Sequence, residues 1–174
     1  ALLYLVRTQS SGDYLYRHAV ACAVMGAAMG RHMRFPRGML ETLALGGALL
    51  DIGKTRTPRE LLNRPSALAV TSGELHQLRR HVEYSLEIVS HADPENSQLL
   101  EIIAAHHERH NGSGYPSSLA GNSIPLLGRL AAIIDMYDAM ISERSYGRRA
   151  TAYEAMRYLK SQRDIDFDGA MVNE

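Results

Sequence analysis

Apolar residues recur at three- and four-residue spacing through most of this chain, and this periodicity is the feature that most constrains its fold. Such spacing places apolar side chains on one face of an α-helix. Sustained alternation of β-branched and polar residues, the pattern typical of strands, is scarce. The sequence therefore predicts an all-α fold, a single bundle of about seven helices.

Capping residues and breaks give the expected helix limits. The first helix is predicted from about Leu15 to His32, with an apolar stripe that includes Val20, Val24 and Ala27. A capping box at Thr71 indicates another helix, which reaches about Ser90. Residues 109–123 are rich in Gly, Pro, Asn and Ser and predict an ordered loop. The remaining helices are expected from about Gly38 to Leu50, Thr57 to Leu62, Pro94 to Glu108, from Pro125 onward, and Thr151 to Ser161.

The size and charge of the chain exclude several classes of protein. A chain of 174 residues is expected to form one domain, 1–174, that folds without disulfides or structural metals. Lys and Arg number 19 and Asp and Glu number 19, so the formal net charge of 0 offers no overall field for DNA or an anionic membrane. The single cysteine, Cys22, excludes an internal disulfide and fits a reducing cytosol.

No run of apolar residues approaches the roughly 18 to 20 needed for a membrane span. The apolar residues 1–6 form too short a segment and lack a basic leader. The chain begins without Met, so we expect it to be excised from a longer protein. We expect a cytoplasmic domain, and a membrane anchor in the parent protein stays open.

Three motifs place polar residues within or beside apolar helices: LDIGK at 50–54, HHERHNGSGYP at 106–116 and DMYD at 135–138. A buried carboxylate at Asp51 or Asp135 needs a hydrogen-bond partner, an ion pair or a metal. Imidazole and carboxylate together suit iron, manganese, zinc or nickel, and helices of a bundle can direct such ligands inward. The imidazoles available from separate helices are His18, His81, His106 and His107.

Each residue also has a purely structural interpretation. A lone histidine such as His18 on an apolar helix is more often a hydrogen-bonded core residue than a ligand. Asp51 before Ile-Gly is compatible with a simple cap. Adjacent His106 and His107 point about 100° apart on a helix, so that pair alone is weak evidence. The combination of all three motifs is what favours a metal site.

These motifs resemble those of the HD-GYP phosphodiesterases, a branch of the HD superfamily of metal-dependent phosphohydrolases. HHERHNGSGYP at 106–116 is similar to the HHE and GYP signature of that family, and DIGK at 51–54 matches the latter part of its HDIGK motif. NRP at 63–65, DMYDA at 135–139, RSY at 144–146 and FD at 167–168 resemble its remaining segments. The resemblance runs from about Tyr16 to Phe167 and implies an HD-domain-like helical fold.

The resemblance also implies a function, the metal-dependent hydrolysis of cyclic di-GMP to the linear dinucleotide or GMP. By position, Asp51 would bridge two metals, His18 and Asp135 would bind one of them, and Lys54 would contact a substrate phosphate. The loop with Gly112, Gly114 and Tyr115 would lie near the substrate and offer a contact surface for a signalling protein. The ligands of the other metal would be His81, His106 and His107.

Three arginines have two interpretations that do not depend on the resemblance. The forked donors of a guanidinium can contact guanine or phosphate, and a solvated helix end is the alternative. The residues are Arg144, Arg148 and Arg149.

Three positions depart from the family pattern. Leu50 stands where the family has the first histidine of its HD pair, and an isobutyl group cannot bind a metal. Tyr14 stands where some members place an acidic ligand of a third metal, and Asn111 stands where an aspartate is usual. Loss of even a supporting partner costs roughly 10- to 100-fold in metal affinity or activity. We therefore expect one divalent transition metal, Fe, Mn, Ni or Zn, rather than two or three.

Two functions of different class remain open at this point. One is a phosphodiesterase whose activity is impaired by Leu50, which the retained Lys54 and Asp135 favour. The other is a catalytically inactive regulatory or protein-interaction module that still binds cyclic di-GMP, which Leu50, Tyr14 and Asn111 favour. Hydrolysis of another nucleotide is a third alternative, because the HD superfamily is broad.

Overall fold

The computed structural model describes residues 12–62, 70–142 and 149–173, and these residues form helices joined by short turns and one longer loop. None of the helices in these parts of the chain has the length and apolar character needed to cross a bilayer. The predicted all-α fold is confirmed. The helices are α1 (Gly12–His32), α2 (Arg37–Leu49), α3 (Arg59–Leu62), α4 (Ser72–Arg79), α5 (His81–Ala92), α6 (Ser97–Ala105), α7 (Leu126–Ile141), α8 (Ala152–Ser161) and α9 (Gly169–Val172).

The capping residues read from the sequence begin two helices as predicted. Thr71 and Thr151 each accept a hydrogen bond from the backbone N–H three residues on, and Glu74 and Glu154 return the bond to the cap. The reciprocal bonds satisfy backbone donors that the first turn of a helix leaves without partners. Thr71 opens α4 and Thr151 opens α8.

The predicted core stripe of the first helix is wrong, because Val20 and Val24 are 45% and 63% exposed. The buried face of α1 instead carries small or polar residues, including His18, Cys22 and Gly26. Small side chains let α1 and α2 approach at backbone contact, since a Cβ at Gly47 would lie 2.6 Å from the backbone of Cys22. Close packing thus selects this face over the valines.

Two further helix limits differ from those expected. The single helix predicted from Thr71 to about Ser90 divides at Arg80 into α4 and α5, and there the Leu78 carbonyl accepts a hydrogen bond from His81 Nδ1 at 2.7 Å. The helix predicted to end near Glu108 ends at Ala105. Both breaks lie at histidines that turn toward the centre of the bundle.

The main core cluster is built around α7, which lies against α1, α2, α6 and α8. Leu127, Leu130 and Ile134 of α7 are buried, as their spacing predicts. The same helix carries two buried carboxylates, Asp135 and Asp138. Both carboxylates lie near His18 of α1, and Asp135 also lies 3.9 Å from His107, which follows α6.

Candidate metal centre

A short 3-10 turn, Ile52–Arg56, follows α2 and places Asp51 at its beginning. Ser85 of α5 holds the turn at two points: its Oγ donates to the Leu50 carbonyl at 2.9 Å and accepts from the Gly53 N–H at 2.8 Å. A Cβ at Gly53 would lie 2.1 Å from the His81 carbonyl, so only glycine allows this approach. The turn and the first residue of α5 are therefore fixed against each other.

The buried Asp51 carboxylate faces two groups of residues, one with each oxygen. Its Oδ1 lies 3.3 Å from His81 Nε2 and 4.0 Å from His106 Nε2. Its Oδ2 lies 2.5 Å from Lys54 Nζ and 3.5 Å from His18 Nε2. Asp51 thus lies between the two sets of side chains that the family resemblance assigns to two metals.

The first group consists of Asp51, His81, His106 and His107, whose candidate ligand atoms all lie within 4.8 Å of one another. His81 Nδ1 and His106 Nδ1 contact the carbonyls of Leu78 and Ile103 at 2.7 and 2.8 Å. A carbonyl only accepts, so each Nδ1 carries the proton and each Nε2 keeps its lone pair. This second hydrogen bond fixes the tautomer and orientation that a metal-binding histidine requires.

Two buried atoms in this group have no hydrogen-bond partner among the described residues, Asp51 Oδ1 and His106 Nε2. His107 Nε2 also lies 3.1 Å from His81 Nε2, whose lone pair points toward it. Unsatisfied buried acceptors are costly, and a shared cation satisfies them together. Three imidazoles and one carboxylate fit a single divalent transition metal.

The second group consists of His18, Asp51 and Asp135 and is supported by Asp138. His18 Nδ1 donates to Asp138 Oδ2 at 2.6 Å, which directs Nε2 toward Asp135 Oδ1 at 3.1 Å. Cys22 Sγ lies 3.7 Å from His18 Nδ1 and 3.8 Å from His18 Nε2. This group offers three donors to an ion, one fewer than the first group.

Neither Leu50 nor Lys54 adds a ligand to the second group. Leu50 is 1% exposed and belongs to the main core cluster, together with Cys22. The Lys54 ammonium contacts Asp51 Oδ2, the oxygen that faces His18. A positive charge therefore already neutralises the side of Asp51 that a second metal would use.

Burial and charge move the pKa values of the two groups in opposite directions. Burial lowers the pKa of His81 to about 4 and also lowers those of His106 and His107. Burial disfavours charged His18 as well, but hydrogen bonds to Asp135 and Asp138 outweigh burial and raise its pKa. The three histidines of the first group are therefore neutral at neutral pH and ready for a metal, whereas in the second group a proton competes for His18.

We expect the metal-free domain to lose stability as the pH is lowered from 6.5 toward 4. His81, His106 and His107 have lowered pKa values when folded, so they bind protons at lower pH than in the unfolded state, where they bind protons near 6.5. The unfolded state then holds more protons, and each histidine contributes up to about 1.4 kcal/mol per pH unit. His18 contributes with the opposite sign, because its raised pKa keeps it protonated when folded, whereas it binds its proton near 6.5 when unfolded. This opposing slope is smaller than that of the three histidines together and fades as the pH falls below 6.5.

Urea unfolding of the metal-free domain at several pH values between 7 and 4.5 measures this slope. Asp51 and Asp135 do not contribute in this range, since their pKa values are lowered from 3.8. A free energy of unfolding that stays constant from pH 6.5 to 5 would show that the three imidazoles are not neutral in the folded state.

The loop that follows His107 is held against the site by a buried carboxylate, Glu108, which is 1% exposed. Its two oxygens accept from the backbone N–H groups of Ser117 and Leu119 at 2.7 and 3.0 Å. A Cβ at Gly114 would lie 2.5 to 2.6 Å from the backbone of residues 107–109, so the loop returns in contact with its own start. The loop therefore has one defined position beside the histidines.

In the loop that follows His107, the Tyr115 ring stacks on the His107 ring, with ring centroids 4.6 Å apart and an interplanar angle of 25°. The Arg79 guanidinium lies 4.8 Å from the same ring. Asn111 accepts from the Ser113 N–H at 2.9 Å and donates to Asp166 at 3.1 Å. An aspartate at this position could accept but not donate, so Asn111 adds a bond between the loop and the chain near Phe167.

We expect Glu108→Gln to destabilise the domain by about 1 to 3 kcal/mol, because the new amide places N–H donors against a backbone N–H that needs an acceptor. Urea unfolding measures the change, and Glu101→Gln, on the exposed surface of α6, serves as the matched control. Equal stability of the two variants would show that Glu108 does not hold the loop.

The structure brings together the predicted ligands from five segments of the chain: His18, Asp51, His81, the pair His106 and His107, and Asp135. Lys54 and Tyr115 lie at the same site, and Gly112 and Gly114 lie in the adjoining loop. Arg144, Arg148, the NRP segment at 63–65 and the RSY segment at 144–146 lie outside the described residues. The roles of all these residues stay predictions.

Sequence analysis did not predict the contacts of four residues that shape the site. Asp138 orients His18, Ser85 fixes the turn of Asp51, and Glu108 holds the loop. Tyr14 stacks on His18, with ring centroids 5.6 Å apart and an interplanar angle of 11°. The helical spacing of Tyr14 from His18 and of Asp138 from Asp135 was the available signal, since residues three or four apart share a helix face.

Comparisons with known proteins agree with this fold and identify the family. Residues 9–171 match the HD domain family, and the chain belongs to that family. It is 37% identical over 90% of its length to a cyclic di-GMP phosphodiesterase of Pseudomonas aeruginosa, and it covers 37% of that protein. It is 31% identical over 95% of its length to a 3'3'-cGAMP-specific phosphodiesterase of Vibrio cholerae, and it covers 31% of that protein. The resemblance to the HD-GYP branch is confirmed.

The fold is also that of a solved HDG"Y"P protein of Bdellovibrio bacteriovorus, with a TM-score of 0.75 at 20% sequence identity. This likeness covers 99% of the chain and 55% of the solved protein. The chain spans about a third of the length of the two curated relatives, so their full activities belong to larger proteins.

Proposed function

We propose that the chain is an HD-GYP-type phosphodiesterase domain that hydrolyses a cyclic dinucleotide, cyclic di-GMP or 3'3'-cGAMP. The observation that carries the proposal is the convergence of Asp51, His81, His106 and His107, with two buried lone-pair atoms that have no hydrogen-bond partner in the described chain. The activities named for the Pseudomonas and Vibrio relatives support this class of substrate.

A single divalent ion, Fe, Mn, Ni or Zn, would be held by the first group. When bound, such an ion supplies positive charge to a phosphoryl oxygen and lowers the pKa of water. The second group lacks a fourth ligand because of Leu50, and Lys54 lies against its side of Asp51. We propose one ion rather than two, and with it a hydrolytic rate well below that of a complete two-metal site.

The residues around the ion provide the remaining chemistry. Lys54 has a side chain that is 23% exposed, so its ammonium can meet a substrate phosphate without leaving Asp51. Burial lowers the pKa of Lys54, but the charge of Asp51 offsets this and leaves the pKa raised. Lys54 therefore stays charged throughout the physiological range and acts as a fixed positive group. Tyr115, stacked on His107, limits the width of the site on the side of the loop.

A regulatory module that binds the nucleotide without hydrolysing it is the second candidate. The observation that favours it is that charged side chains of the second group already have partners without a metal. Asp51 contacts Lys54, and His18 contacts Asp138. The solvent-exposed residues of the loop, such as Asn111, Ser113 and Pro116, would then contact a signalling protein. A cyclic dinucleotide ligand and a free buried thiol at Cys22 both fit a cytoplasmic location.

Incubation of the domain with cyclic di-GMP and with 3'3'-cGAMP, in the presence of Mn²⁺ and separately of a chelator, tests the proposal. We expect metal-dependent appearance of a linear dinucleotide or mononucleotide by chromatography. Binding of the nucleotide without turnover at any metal concentration would favour the regulatory module. Neither binding nor turnover would contradict both functions.

A further inference from the structure

A cavity lies beside the metal centre and has no part in the chemistry described so far. It has a volume of about 200 Å³ and is lined, among the described residues, by Tyr14, Arg17, Ile141, Ser142 and Arg149. Complete small-molecule pockets measure roughly 300 to 1,000 Å³. This cavity is therefore suited to one part of a larger ligand.

Two contacts connect this cavity directly to the metal centre. The Tyr14 ring stacks on His18, with ring centroids 5.6 Å apart. The Ser142 hydroxyl donates to Asp138 Oδ2 at 2.9 Å, the same oxygen that binds His18 Nδ1 at 2.6 Å. Tyr14 and Ser142 thus belong both to the lining of the cavity and to the surroundings of His18, so the cavity and the metal centre are neighbours.

The lining of the cavity selects an anionic, partly aromatic ligand. Arg17 and Arg149 both belong to it, whereas no acidic residue among those described does. A guanidinium offers a planar fork of donors that matches phosphate oxygens and the acceptor edge of guanine. Tyr14 and Ile141 add a flat aromatic face and an aliphatic face, between which a base can lie. Because the whole chain is neutral, such an anion must be captured by local charges.

We infer that this cavity binds the second purine nucleotide of the cyclic dinucleotide, the half whose phosphodiester is not at the metal. The inference rests on the proposed function and names the subsite that lets the domain select a dinucleotide over a mononucleotide. In this arrangement Arg17 and Arg149 contact the distant phosphate or the base edge, and Tyr14 provides the stacking surface. Tyr14, which stands where an acidic ligand occurs in some relatives of the family, thereby acquires a role in binding.

Calorimetric titration of the purified protein with cyclic di-GMP and with GMP tests this inference, with intact nucleotide verified by chromatography after each run. We expect Arg17→Gln and Arg149→Gln each to raise the Kd for cyclic di-GMP about tenfold, as expected for a lost hydrogen bond to a charged group. The Kd for GMP, which needs only the half-site at the metal, should change less than threefold. Arg157→Gln, which removes the same charge from the exposed surface of α8, is the matched control.

Three results would overturn the inference. If Arg17→Gln and Arg149→Gln bind cyclic di-GMP as tightly as Arg157→Gln, the cavity is not a subsite, and the proposed function is unaffected. An equal loss of affinity for GMP and cyclic di-GMP would place the arginines at the metal half instead. If the unmutated protein binds neither nucleotide, the proposed function fails and the subsite fails with it.

Discussion

Asp51→Asn should abolish metal binding and with it any phosphodiesterase activity, the largest effect expected of a single substitution in this domain. One Asp51 oxygen faces His81 and His106 and the other contacts Lys54, so the carboxylate serves both groups of the site. Loss of a supporting partner alone costs roughly 10- to 100-fold in metal affinity, and loss of the shared ligand should cost more than 100-fold. Elemental analysis after dialysis measures the metal, and chromatography of the nucleotide measures turnover.

The variant also tests stability, because it leaves the Lys54 ammonium without its carboxylate. Removing one partner of a charged pair that is largely buried destabilises a protein by about 3 kcal/mol when the other charge stays unpaired. Glu101→Gln, an exposed carboxylate changed in the same way, should bind metal and unfold as the parent does. Full metal content in Asp51→Asn would show that the three histidines hold the ion without Asp51.

Leu50→His should increase the bound metal from one ion to two and raise the turnover of the cyclic dinucleotide at least tenfold. The substitution returns an imidazole to the residue before Asp51, while His18, Asp51 and Asp135 already lie within 4.8 Å of one another. With the new imidazole, these three side chains would provide four ligands for a second ion, while Lys54 beside Asp51 would still face the substrate phosphate. Two cations stabilise both the attacking and the leaving oxygen of a phosphoryl displacement.

The stability of this variant should depend on metal. Leu50 is 1% exposed, so a metal-free imidazole there is a buried polar group that costs about 1 to 3 kcal/mol. Mn²⁺ should restore the melting temperature, because a ligand that binds only the folded state stabilises it by mass action. Leu50→Gln has the same burial cost without the imidazole and should not respond to Mn²⁺. A Leu50→His protein with two metals and unchanged turnover would show that Leu50 does not limit catalysis.

The sequence predicted the fold class and the set of candidate ligands, for different physical reasons. Helical periodicity and the caps at Thr71 and Thr151 act over a few residues, so they can be read locally. The ligands were visible because a carboxylate or an imidazole inside an apolar segment needs a partner, whatever that partner is. Neither argument required knowledge of which helices are neighbours.

What the sequence did not predict depends on long-range packing. The buried face of α1 follows from backbone contact between Gly47 and Cys22, which no local pattern indicates. The hydrogen bond that His18 donates to Asp138 joins residues 120 positions apart, and Glu108 binds a loop whose path is set by the close approach at Gly114. The cavity beside His18 likewise forms only where α1 meets the end of α7.

The central claim is that one metal ion binds to the first group, and the metal content of the purified domain tests it most directly. Elemental analysis is carried out on the unmutated domain and on the His106→Ala and His18→Ala variants. The structure predicts about one ion per chain, lost in His106→Ala and kept in His18→Ala, because the intact donor set is that of His81, His106 and His107 with Asp51. Two ions in the unmutated domain, or one ion that is lost in His18→Ala and kept in His106→Ala, would contradict this assignment.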